Sequence, residues 1–127
     1  RLYKPYIFDR QREHAPDAPK TLSHPMFECV DGKLLGRLSR FQVMNGYKLA
    51  NEAMDSEGAA ALDALEVIMN DPAMRKDFYF EPGQIQIVDN RRCGHKRTAF
   101  LDHPDLERRR RLIRLWLREA GRPFYNG

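Results

Sequence analysis

The segment Asn90-Arg91-Arg92-Cys93-Gly94-His95-Lys96-Arg97-Thr98-Ala99-Phe100 sets one histidine among arginines. A second basic run, Arg108-Arg109-Arg110-Arg111-Leu112-Ile113-Arg114-Leu115-Trp116, follows closely. A neutral imidazole is a common metal ligand, and a guanidinium fork matches a carboxylate in geometry as well as charge, which an ammonium does not. Together the two segments suit a metal ligand with an anion clamp beside it. Periodicity leaves Arg109 to Leu117 open between helix and strand. If the stretch is a strand, alternation puts Arg110, Leu112, Arg114 and Trp116 on one face and Arg109, Arg111, Ile113 and Leu115 on the other. His14, His24 and His103 lack such surroundings and read as ordinary histidines. The pair Cys93-x-His95 hints at zinc, but no second Cys/His pair at ligand spacing accompanies it.

Taken as a set, N-R-R-x-x-H-x-R-T-A-F with the downstream R-R-R-x-L-x-R-L-W resembles the C-terminal end of the TauD/TfdA family of iron(II)- and 2-oxoglutarate-dependent dioxygenases. Glu81-Pro82-Gly83-Gln84-Ile85-Gln86 and Tyr6-Ile7-Phe8-Asp9-Arg10 fit the same family, so the resemblance runs through nearly the whole chain. It implies a double-stranded β-helix of the jelly-roll kind. It also implies Fe(II), 2-oxoglutarate and O2, with 2-oxoglutarate decarboxylation coupled to oxidation of a small organic substrate. By the same resemblance, His95 corresponds to the late iron-ligating histidine and Arg110 to the arginine that holds the free carboxylate of 2-oxoglutarate. Arg114 would then face co-substrate or an anionic substrate, with Arg109 the alternative to Arg110 one register away.

The family's earlier iron ligands, a His-x-Asp pair, have no counterpart in the chain. His103-Pro104-Asp105 matches the letters but lies after the late histidine in a proline-containing loop, so it reads as chance. The chain opens on Arg1 rather than Met, and the expectation is a C-terminal portion of the domain whose iron site is completed by upstream residues or another chain.

The 127 residues amount to one domain, taken as 1–127, with a hydrophobic share of 42% and a charged share of 31% that suit a soluble globular chain. No apolar run approaches the ~20 residues a membrane span requires, so no membrane partner is expected. Cys29 and Cys93 are too few for a disulfide framework, which points to a reducing, cytoplasmic setting. The net charge of +4 comes largely from residues 91–122. That charge supports a rival reading, a non-catalytic basic module on the same fold that contacts acidic partners or nucleic acid. Under the enzyme reading the partner is a small molecule, and nucleic acid is not expected.

The elements that must carry these residues are mostly strands. Leu2 to Phe8 reads as a short strand, followed by a polar loop from Asp9 to Lys20. Met26 to Val30 and Lys33 to Val43 read as a hairpin about the Asp31-Gly32 turn. Asp55 or Ser56 caps an inserted helix carrying Leu62, Leu65, Ile68 and Met69, which Asn70-Asp71-Pro72 ends, with Asp71 capping a further short turn. Phe78 to Phe80 and Gln84 to Val88 read as strands flanking a Pro82-Gly83 turn. Tyr79, Phe80 and Trp116 read as core. The order gives a mainly β, jelly-roll portion with one inserted helix.

Overall fold

The computed structural model describes residues 1–90, 92–115 and 117. Two antiparallel hairpins and two helices occupy the first seventy-odd residues. Strand β1 (Pro5–Asp9) pairs with β2 (Thr21–Pro25), Ile7 opposite Ser23, and β3 (Phe27–Val30) pairs with β4 (Lys33–Gly36), Val30 opposite Lys33. The second hairpin turns on Asp31 and Gly32 with φ of 51° and 72°. Positive φ at both central residues is the type I′ geometry whose twist suits paired strands, and Asp-Gly adopts it at little cost.

Helix α1 (Arg40–Ala50) begins where the sequence reading continued the strand to Val43. Its start is marked by Ser39, whose Oγ accepts from the Gln42 N–H at 3.4 Å, and its end by Asn51 in the left-handed conformation. Ser39-x-x-Gln42 has the form of a capping box, but Asn45 and Gly46 blur the helical pattern behind it. The described residues therefore form two α-helices rather than one inserted helix. Helix α2 (Ser56–Asn70) starts, as expected, on Asp55, whose carboxylate accepts from the Gly58 N–H at 2.7 Å. Asp71 then caps the short 3-10 turn Pro72–Met74, with Pro72 in its first turn.

The core is Tyr6 and Phe8 of β1, Met26, Val43 of α1, and Leu62 and Leu65 of α2, with Leu38 and Tyr47 packed against it. Each such side chain contributes about 1.5–3 kcal/mol by leaving water. Helix α1 lies directly on β1 at Gly46, where a Cβ would collide with the Ile7 carbonyl. Arg40 bridges the helices through Asp63 at 2.6 Å and Glu66 at 3.5 Å.

The start of the chain is fastened to α2 by a cluster that sequence reading did not anticipate. Arg1 forks onto Asp55 (Nη2–Oδ2 2.6 Å), stacks 4.2 Å over the Tyr6 ring, and donates to the Pro5 carbonyl at 3.2 Å. The buried Tyr6 hydroxyl donates to the Gly58 carbonyl at 3.1 Å. Hydrogen bonds from Arg1, then from the Gly58 N–H, hold the Asp55 carboxyl down at about 2, while burial pushes the Tyr6 phenol up.

Beyond Met74 the described residues form no strand, and a 3-10 turn at Leu106–Arg108 is their regular element. The strands expected at Phe78–Phe80 and Gln84–Val88 are absent: Tyr79 is 96% exposed and Ile85 87% exposed. A strand needs a neighbour to take its N–H and C=O groups, and no described segment lies alongside. The turn between them does form. Gln84 N–H donates to the Glu81 carbonyl at 3.1 Å, and Gly83 has φ of 86°, the geometry of a type II turn.

Candidate functional site

His95 follows a tight local turn. The Asp89 carbonyl accepts from the N–H of Arg92 at 3.1 Å, the N–H of Cys93 at 3.2 Å and the Cys93 thiol at 3.3 Å. This turn delivers Gly94 onto Leu38, where a Cβ on residue 94 would stand 3.1 Å from Leu38 Cδ1. One residue past His95, Lys96 Nζ donates to Asn70 Oδ1 at 3.3 Å, at the C-terminal end of α2. The exposed His95 is thus set between the β4-to-α1 connection and the end of α2. An open groove of about 690 Å³ adjoins, lined by Arg40, Asp63, Glu66, Val67, Asn70 and Asp71.

Among the described residues, no three His, Cys, Asp or Glu side chains gather to hold a metal ion. Cys29 and Cys93 are free and exposed, so Cys93 and His95 have no partners for a zinc site among these residues. His103 and Asp105, the pair that spells His-x-Asp, serve their own turn. His103 Nδ1 accepts from the Asp105 N–H at 3.0 Å, and the Asp105 carboxylate accepts from the Glu107 N–H at 3.0 Å.

The arginines are not equivalent. Arg109 Nε donates to the His103 carbonyl at 3.0 Å, closing the 3-10 turn. Arg110 instead lies over Phe100, its guanidinium carbon 4.3 Å from the ring centroid, and Arg97 lies 4.3 Å from the same centroid. Arg111 and Arg114 are exposed, and the stretch from Arg109, open between helix and strand by periodicity, pairs with no other described segment. Without a ladder the alternation argument loses its frame, so Arg110 and Arg114 are not shown to share a face. Trp116 lies outside the described residues. Sequence reading left Arg97 without a role and passed over Phe100; their closeness to Arg110 depends on the path of the chain between residues 100 and 110, which no local pattern records.

Among the described residues no helix is long and apolar enough to cross a membrane.

These observations meet the comparisons with known proteins. The chain belongs to the family described as taurine catabolism dioxygenase TauD, TfdA family, whose profile matches residues 1–116. It is 33% identical over 127 residues to FR-33289 synthase of Streptomyces rubellomurinus (strain ATCC 31215), an alignment covering 96% of this chain and 37% of that protein. The chain therefore spans little more than a third of the length of this curated relative. No solved structure matches it.

Proposed function

We propose that the chain is the C-terminal portion of an Fe(II)- and 2-oxoglutarate-dependent dioxygenase that oxidises a small organic substrate on a jelly-roll, double-stranded β-helix domain. The observation that carries the reading is the family match over residues 1–116, a span that includes His95, Arg110 and Arg114. The wide exposure of Tyr79, Ile85 and Ile87 is what strands of a larger sheet present when their neighbours lie elsewhere.

Iron of this kind needs two histidines and a carboxylate on one face. The described residues do not fit that requirement by themselves, since His95 has no companion ligands among them. In this reading His95 is one ligand, and the other histidine and the carboxylate come from another segment of the protein or another chain.

The arginines fit their anion better. A carboxylate takes two parallel N–H bonds from a guanidinium, and Arg110 makes no ion pair with any described residue. Arg110 holds the remote carboxylate of 2-oxoglutarate, and Arg114 faces co-substrate or an anionic substrate. Between the two arginines compatible with the sequence, the hydrogen bond from Arg109 to His103 supports Arg110. When bound, 2-oxoglutarate supplies the electrons for oxygen activation as it becomes succinate and carbon dioxide. The protein's task is to orient the substrate and exclude water.

His95→Ala tests the assignment in the full-length protein. The variant should keep its circular dichroism spectrum, lose stoichiometric iron and release no succinate in response to 2-oxoglutarate. An active, iron-replete His95→Ala protein would remove His95 as a ligand.

A further inference from the structure

Two guanidinium groups stand against one aromatic ring in this structure, Arg97 and Arg110 each 4.3 Å from the Phe100 centroid. Neither makes an ion pair with a described residue. Like charges brought together repel, and the attraction of each cation for the ring face, about 0.5–1 kcal/mol at an exposed site, works against that repulsion. An anion at the free edge of either guanidinium would offset it. Stacking occupies the flat face of a guanidinium and leaves its N–H edges free, and those edges are what a carboxylate binds.

We propose that Phe100 is a positioning residue for Arg110: the ring fixes the guanidinium so that its free edge meets the remote carboxylate of 2-oxoglutarate, and Arg97 on the same ring adds to the positive field there. This rests on the reading of Arg110 as the 2-oxoglutarate arginine. A side chain with many rotamers loses entropy when it is ordered on binding, and a platform that orders it beforehand lowers that cost. Phe100 touches no reacting atom in this scheme. Its effect reaches the ligand only through Arg110.

The test is calorimetric binding without oxygen to the iron-loaded full-length protein, using 2-oxoglutarate and, separately, 2-oxobutyrate, which has the chelating keto acid end but lacks the remote carboxylate. Phe100→Leu should weaken 2-oxoglutarate about two- to fivefold, the span expected for loss of one exposed cation–ring contact. Its affinity for 2-oxobutyrate should stay unchanged. Phe100→Tyr should restore 2-oxoglutarate affinity, and Phe100→Met, of similar bulk without a ring, should behave like Phe100→Leu. In an Arg110→Ala background, Phe100→Leu should have no further effect. Equal weakening of both ligands, or a loss that adds to that of Arg110→Ala, would overturn the positioning role and leave Arg110 as the clamp. Unchanged 2-oxoglutarate affinity in Arg110→Ala itself would overturn the clamp reading, and the positioning role with it.

Discussion

Gly46→Ala should destabilise the protein even though the same change inside most helices stabilises it. Within α1 alanine is the better helix former by about 1 kcal/mol, because glycine loses more backbone freedom on folding. Against this stands the packing of α1 on β1. A Cβ at residue 46 would lie 2.6 Å from the Ile7 carbonyl carbon and 2.8 Å from that of Phe8, as well as against the Ile7 oxygen. The obstacle is backbone rather than a side chain that can swing aside, and β1 is held by its ladder to β2, Ile7 opposite Ser23 and Phe8 opposite Leu22. Relief requires α1 to retreat by about 1 Å, which opens the packing of the fully buried Val43 and Tyr6. Such strain and loosening cost about 2–4 kcal/mol, so the clash outweighs the propensity gain. Urea unfolding of the full-length protein would show a lower midpoint at an unchanged slope. A midpoint equal to or above that of the parent would refute the close approach of α1 to β1.

The Asp55 carboxyl, held at about 2 against an ordinary 3.8, favours the folded state above pH 4, and this stabilisation is lost as pH falls from about 4 towards 2. Acid titration followed by circular dichroism should show a shallower loss in that window for Asp55→Asn; an identical profile would mean the Arg1 pairing does not persist in solution. For the clamp, Arg110→Ala should raise the 2-oxoglutarate requirement about 30- to 1000-fold, the equivalent of 2–4 kcal/mol for a lost charge-assisted fork, while the exposed Arg111→Ala should change it little. Equal effects in steady-state kinetics would return the segment to an undifferentiated basic patch. On that rival reading both substitutions would weaken polyanion binding alike and reduce its salt dependence by similar steps.

What could be read from the sequence is what neighbouring residues decide among themselves. The Asp31-Gly32 turn, the Asp55 cap of α2, the Asp71-Pro72 turn and the Pro82-Gly83 turn each depend on a few adjacent side chains and φ angles, and each is present. Helix α1 was hidden because Gly46, needed for contact with β1, is a poor helix former. Phe78 to Phe80 is aromatic and Gln84 to Val88 alternates, as strands do, yet neither pattern names a partner, and neither segment forms a strand. At the candidate site His95 and Arg110 were reached through a motif. Phe100 was not, because nothing in Arg-Thr-Ala-Phe foretells that an arginine beyond the next turn will come to rest on its ring.

The Arg1 cluster bears on the order in which the chain assembles. Both sheets join strands adjacent in sequence, so their loops close at small entropic cost. The bonds from Arg1 to Asp55 and from Tyr6 to Gly58 span 54 and 52 residues. Contacts at that separation form late unless something holds their ends near each other. Here α1, docked on β1, shortens the path, since Asp55 follows the end of that helix by a few residues. The guanidinium–carboxylate pair then acts as a latch, closing a ring of chain that the two hairpins and α1 have already drawn nearly shut.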